Sequence, residues 1–400
     1  MNNIIRKNII IISAVFPPEP VVSAKLSFDI ADQLSVLHNV TVLSPKPTRP
    51  HGLKFETNTE GSYNFKHITL DSYTCSSSRL FGRFRESYSF GKYCKKYIQN
   101  SSQKIDLIYI NTWPLCAQYI TIKTAKKQNI PIITHIQDIY PESLLSKVPI
   151  FGKLLVHLIL PIDKYIHQKS DKVLTISDSM NSYLSKTRKV NHIETVYNWQ
   201  DENIFLNKRK VKHEKFTFLF LGTLSPTVGL DFIIRSFINA NIPEAQFIIA
   251  GFGSEKNHLI EISKQSKLNN IIFMDAPSDK FVEIQLSADV LVLSLKKNSA
   301  KYALPSKLAN YMFSSKPIIA CVDEDSDTAK IVNDAKCGFV AQPENEGALI
   351  NILKQISKMR DEERESMGKN GFDFAIMNFS KDKSLPRIIQ IFNEVINNSK

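Results

Sequence analysis

The sequence predicts two α/β domains, each a doubly wound parallel sheet with helices on both faces. Short apolar runs alternate with helical periodicity along the whole chain. The runs are continuously apolar, as strands covered on both faces are. The length of 400 residues exceeds what one core organises, so two units of roughly 200 residues are expected.

In the first half, strands are predicted at Ile9–Ser13, Val40–Leu43, Phe65–Leu70, Leu107–Ile110, Ile132–His135, Val173–Ile176 and Ile193–Val196. Ala24 to Leu37 supplies the helix between the first two. In the second half, strands are predicted at Phe216–Leu221, Gln246–Ala250, Ile271–Phe273, Val290–Ser294, Ile318–Val322 and Phe339–Ala341. The join falls in Asn203 to Lys215, a charged stretch without periodicity, and sets domain limits of 1–205 and 206–380.

The stretch Tyr302–Val322 organises the second half. Pro305 suits a first helical turn, where a missing N–H costs nothing. Leu308, Tyr311 and Met312 then recur at helical spacing, Ser314 to Pro317 breaks the pattern, and Ile318 begins a buried strand. A helix opening Pro-Ser-Lys at the mouth of such a sheet offers free amides, a positive dipole end, the Ser306 hydroxyl and the Lys307 cation, a combination that favours phosphate. A solvated lysine on an ordinary helix start is the alternative from these residues alone.

The composition is that of a soluble protein, with 43% hydrophobic residues and no run of 18 apolar residues. The run Ile9–Ile12 is too short for a signal-peptide core, so a cytoplasmic protein is expected. Five scattered cysteines without a CxxC pair read as reduced thiols, with neither a disulfide framework nor a metal site. Residues 1–200 hold 25 Lys+Arg against 14 Asp+Glu, and residues 201–400 hold 26 against 25. Nearly all of the net charge of +12 therefore belongs to the first half, which points to a polyanionic partner, either nucleic acid or anionic lipid.

The turn Ala14–Ala24 has three prolines and no glycine, so a GxGxxG dinucleotide fingerprint is absent there. Gly251-Phe252-Gly253 lacks a third glycine and reads as a tight turn before a helix. Arg79–Tyr97 interleaves Arg79, Arg83, Arg85, Lys92, Lys95 and Lys96 with aromatic residues, as suits the headgroup level of a membrane. The same pattern also fits a helix with its aromatics in the core. Phe151–Ile166, interrupted by Pro161, reads as a packed, kinked helix.

Together, Phe16–Ala24 (FPPEPVVSA), Val40–Gly52, His135–Ser143 (HIQDIYPES), Thr175–Met180, Leu221–Asp231 (LGTLSPTVGLD) and Ala303–Val332 resemble bacterial family-4 glycosyltransferases of the GT-B fold. The likeness is to the lipopolysaccharide O-antigen and capsule branch, which includes N-acetylfucosaminyltransferase-like enzymes. The resemblance implies an N-terminal acceptor domain, a C-terminal nucleotide-sugar domain facing it across a cleft, and a final helix (residues 381–400) crossing back. It implies a retaining transfer from a nucleotide sugar, UDP- before GDP-, to a polyprenyl-diphosphate-linked glycan, without cofactor, metal or nucleic acid. It also implies an enzyme peripheral to an anionic membrane, on its cytoplasmic face.

The implied donor residues are Gly222, Thr223, Gly253, Pro305, Ser306, Lys307 and Asn310. The implied acceptor residues are Glu19, Ser23, His135 and Asp138. The chain departs from the family where a basic pair is common, with Thr223 and Val228 there, and in the EX7E motif, with Tyr302 and Asn310 at the two glutamates. Lys307 is then the principal diphosphate cation.

Breaking a glycosyl–nucleotide bond requires stabilising charge on the leaving diphosphate, for which Ser306, Lys307 and Thr223 are candidates. Asp138 is a candidate to orient or deprotonate the acceptor hydroxyl, or else a cap of the next helix. Glu142 reads as first-turn helix charge, and Glu19 as an acceptor contact or an exposed loop charge. A non-hydrolysing nucleotide-sugar 2-epimerase and a non-enzymatic membrane or nucleic-acid binding protein are the rival functions.

Overall fold

Isoleucine, leucine and valine fill the strands because both faces of each sheet are covered, and all the named strand pairs are parallel. The structure, a computed structural model, describes residues 6–49, 55, 63–75, 80–111, 115–142, 152–206, 208, 213–299 and 304–398. The chain forms two compact units, residues 1–198 with 384–400, and residues 199–383. The thirteen strands predicted from the sequence are all present, with ends that differ by a residue or two.

The first unit runs β1 (Asn8–Ser13), α1 (Val22–Ser35), β2 (Asn39–Pro45), β3 (Lys66–Leu70), α2 (Leu80–Gln99), β4 (Leu107–Asn111), α3 (Leu115–Lys127), β5 (Ile132–Ile136), α4 (Gly152–Lys169), β6 (Lys172–Thr175), α5 (Asp178–Arg188) and β7 (Ile193–Thr195). Its sheet order is β3-β2-β1-β4-β5-β6-β7, so the winding reverses between β1 and β4. Ile10, Ile12, Ile108, Ile110 and Ile132 share one core with Phe90 and Cys94 of α2, Ala117 and Ile122 of α3, and Ile159 and Ile166 of α4. These three helices therefore cover the same sheet face. Tyr109, pointing to the opposite face, has its ring 5.2 Å from that of Phe392.

The second unit runs β8 (Phe216–Leu221), α6 (Leu230–Ala240), β9 (Ala245–Ala250), α7 (Lys256–Ser263), β10 (Ile271–Met274), α8 (Phe281–Ser287), β11 (Val290–Ser294), α9 (Ser306–Phe313), β12 (Ile318–Cys321), α10 (Asp327–Asp334), β13 (Gly338–Ala341), α11 (Glu346–Lys358) and α12 (Asp361–Asn378). The last helix, α13 (Lys381–Asn398), belongs from Ser384 onward to the first unit, where Arg387 pairs with Glu194 and Phe392 packs on Tyr109. The second sheet has the order β10-β9-β8-β11-β12-β13 and reverses between β8 and β11.

Two expectations change in detail. Pro305 is the extended N-cap of α9, at φ −62° and ψ 127°, one residue before the first turn. The helix α4 contains Pro161 as expected, but Leu154, Leu158 and Ile162 face solvent while Ile159 is buried. Among the described residues, the cysteines are free thiols, no cluster of ligands fits a metal, and no helix is long and apolar enough to cross a membrane.

Candidate active site

In an open α/β sheet, ligands bind outside the carboxyl ends of the strands where the winding reverses. In the second unit that place is occupied by the loops after β8 and β11. The Gly222 amide donates to Ala250 O at 2.9 Å, Leu224 N to Phe252 O at 2.8 Å, and Gly251 N to Met274 O at 3.0 Å. The turns after β8 and β9 thus extend the sheet as a backbone platform. A Cβ on Gly251 would sit 2.0 Å from Gly222 O, and its φ of +144° is one that side chains rarely adopt, so only glycine fits.

The helix α9 is pinned beside this platform by Tyr311. Its fully buried hydroxyl accepts from Leu221 N at 2.9 Å and donates to Leu221 O at 3.3 Å. That fixes the helix start next to Gly222. As N-cap, Pro305 has no side-chain acceptor to offer, so it leaves the first amides of α9 uncapped.

The Lys307 side chain lies on Gly222, where a Cβ would be 2.3 Å from Cε and 2.4 Å from Nζ. Its ammonium stands 4.1 Å from the centre of the Phe220 ring. Burial against these groups lowers its pKa to about 8, and no carboxylate of the described residues pairs with it. A half-buried ammonium with no carboxylate partner among the described residues, beside uncapped helix amides, is an arrangement that favours an anion.

The other predicted donor residues lie on the turns after β8 and β9 and on the first two turns of α9. Thr223 and Ser306 are exposed, and Asn310 is half-buried one turn along α9 on the Lys307 side. Gly253 is exposed, and a Cβ there would lie 2.1 Å from Leu224 O. Tyr302 lies outside the described residues.

Several residues of this site escaped sequence reasoning. The Ser294 hydroxyl donates to Val228 O at 2.7 Å and Lys296 N to Thr227 O at 2.9 Å, tying the β8 loop to the end of β11. Phe252 is exposed between the two glycines. A polar residue ending an apolar run, as Ser294 does, was the available clue.

In the first unit the reversal lies between β1 and β4. Asn111 ends β4 and donates to the Ser27 hydroxyl at 2.9 Å and to Ser23 O at 3.4 Å, while Ser27 also bonds Ser13 at 2.9 Å. Ser23 is half-buried at the start of α1. Glu19 departs from both expectations, since it is neither exposed nor available to a sugar. Its carboxylate is buried and accepts from Thr48 N and Arg49 N, each at 2.8 Å, and from Phe16 N at 3.3 Å. Burial raises its pKa, and the three amides oppose that rise.

His135 is also buried. Its Nδ1 bonds the Tyr109 hydroxyl at 2.7 Å, and its Nε2 accepts from Gln137 at 3.3 Å. Gln137 in turn accepts from Asn198 at 2.8 Å. Burial drives the His135 pKa down to about 3, so the ring is neutral and serves as a support. Asp138 is exposed in the bend that follows β5.

The far side of that bend is tied down as well. Arg188 is buried and donates to Glu142 at 2.7 and 2.8 Å, to Asp163 at 2.7 Å and to Tyr140 O at 2.7 Å. The Tyr183 hydroxyl donates to Glu142 at 2.6 Å, and His167 contacts Asp163 at 3.1 Å. Glu142, which opens a helical turn, is thus also the acceptor of an ion-pair knot.

Comparison with known proteins matches this anatomy. Residues 24–203 match the family described as Glycosyltransferase Family 4, and residues 201–374 match Glycosyl transferases group 1. The probable glycosyltransferase WbjE of Pseudomonas aeruginosa is 21% identical over 285 residues, covering 66% of this chain and 68% of its own length. Sucrose-phosphate synthase of Thermosynechococcus elongatus superposes with a TM-score of 0.76 at 16% identity, covering 98% of this chain and all (100%) of that one. HepE of Anabaena, solved in complex with UDP, superposes with a TM-score of 0.72 at 16% identity, over 97% and 100% of the two chains. WaaG, described as a glycosyltransferase of lipopolysaccharide biosynthesis, gives 0.66 at 12% identity, over 96% and 99%. These likenesses show the GT-B fold. With a family-4 domain followed by a group-1 domain, the chain is a glycosyltransferase of that two-domain family.

Proposed function

We propose that this enzyme transfers a sugar, with retention of anomeric configuration, from a nucleotide-diphosphate sugar to a lipid-linked glycan in O-antigen or capsule biosynthesis. The Lys307 ammonium lying on Gly222, with no carboxylate partner among the described residues, is the observation that carries the reading. The amides opening α9, the Ser306 hydroxyl and the Lys307 cation would receive the charge of the leaving diphosphate. UDP is the favoured nucleotide, in line with the UDP and UDP-glucose complexes of HepE. Neither a 2-epimerase nor a binding scaffold accounts for the two matched glycosyltransferase domains.

On the acceptor side, Asp138 is the exposed acid on a bend braced by Gln137 in front and by Arg188 behind. It would orient or deprotonate the attacking hydroxyl. The lipid carrier of the acceptor would place the enzyme at the cytoplasmic face of an anionic membrane.

The test is thermal shift against a panel of UDP- and GDP-sugars, followed by transfer to a polyprenyl-diphosphate-linked acceptor with the product linkage read by NMR. A stabilising donor must raise the melting temperature, since it binds only the folded state. Asp138→Asn should depress turnover while leaving donor affinity unchanged. An inverted product linkage would contradict retention, and stabilisation by no nucleotide sugar would contradict the donor site.

A further inference from the structure

We infer that the outward faces of α2, α3 and α4 form one surface that docks on an anionic bilayer. The inference rests on the reading of a lipid-borne acceptor and assigns the part of the fold that meets its membrane. The three helices lie side by side with α3 in the middle, and they share a single core with one face of the first sheet. Their outer faces therefore look the same way.

On α4, Leu154 is 63% exposed and Leu158 66%, with Pro161 and Ile162 also in solvent. They occupy the side opposite Ile159, Asp163 and Ile166, which are buried. A stripe with i, i+4, i+8 spacing is what burial against a core would require, yet this one faces outward. On α2, Phe81 is 92% exposed and Tyr88 55%, with Arg85 and Lys92 on the same face. Basic groups sit over aromatic rings across the layer: Arg85 is 4.2 Å from the Tyr73 ring centre, Lys92 is 5.7 Å from Tyr88, and Lys123 of α3 is 5.5 Å from Tyr119.

The charge is one-sided. The acids of these three helices are Glu86 and Asp163, and both are buried and paired with arginines. Lys92, Lys95, Lys96, Lys123 and Lys127 are exposed on the same layer with no helix acid to offset them. Exposed leucines and phenylalanine among lysines and tyrosines match the apolar depth and anionic headgroups of a bilayer interface. Arg79, expected on this surface, lies outside the described residues.

Flotation with vesicles tests the inference on the full chain. Wild type should float with phosphatidylglycerol-containing vesicles at low salt, less at high salt, and little with pure phosphatidylcholine. The quadruple variant Arg85→Gln, Lys92→Gln, Lys95→Gln, Lys96→Gln should lose roughly 10³-fold in partitioning, at about 1 kcal/mol per cation. Leu154→Gln with Leu158→Gln should reduce flotation several-fold at every salt concentration. All six residues are exposed, so melting temperatures should hold, and a variant that fails that control is replaced by single substitutions. Flotation of either variant equal to wild type would overturn the assignment, as would a wild type that self-associates through Leu154 and Leu158 without floating. UDP binding, measured in parallel, reports on the donor site alone.

Discussion

The ammonium of Lys307 stands 4.1 Å above the Phe220 ring, and it can lie there because Gly222, two residues on, has no side chain. The two positions are therefore coupled. Gly222→Ala would put a methyl group 2.4 Å from Nζ at a backbone φ of +141°, displacing the lysine without removing its charge. Titration with UDP should show Gly222→Ala weakened nearly as much as Lys307→Ala, by roughly 10²-fold. Normal binding by Gly222→Ala would show that the lysine does its work from another position.

Arg188 holds Glu142, Asp163 and the Tyr140 carbonyl from inside the first unit. Arg188→Ala leaves two carboxylates without their cation and should cost about 3–5 kcal/mol of stability by denaturant melts. Arg188→Met combined with Glu142→Gln and Asp163→Asn should recover much of that loss, because no uncompensated charge remains. If the single and triple variants are equally unstable, the loss is one of packing and the ion pairs matter little.

His135 gives a pH dependence of defined sign. Its folded pKa of about 3 lies below the ordinary 6.5, so between these values the unfolded chain binds the extra proton. Stability should therefore fall as pH drops below 6.5, with this residue contributing up to about 1.4 kcal/mol per pH unit. Replacing it by Gln should flatten the melting curve over that window. A slope identical to wild type would mean that His135 titrates normally.

The sheets were legible because doubly covered parallel strands read as bare apolar runs, as in Ile9–Ile12 and Phe218–Leu221. The helix start at Ser306 was legible from Pro305 and the helical spacing of Leu308, Tyr311 and Met312, whereas the same residues fit a solvated lysine equally well, and only the fold lays Lys307 on Gly222. What stayed hidden depends on partners distant in sequence. Glu19 looks like exposed loop charge until the Thr48 and Arg49 amides fold onto it. Glu142 likewise meets Arg188 only through α5. The stripe of α4 misleads for another reason, since periodicity finds an apolar face but does not say what covers it. Ile159 is covered by the core, and Leu154 and Leu158 are not.

The central claim is that Lys307 receives the donor diphosphate, and calorimetric titration of UDP into wild type and Lys307→Ala tests it most directly. Wild-type affinity should decline as pH rises through about 8, where the lysine loses its charge. The variant should bind about 2–4 kcal/mol more weakly at pH 7 and show no such decline, with its own melting temperature no lower than wild type. Affinity within twofold of wild type, falling with pH in the same way, would contradict the account.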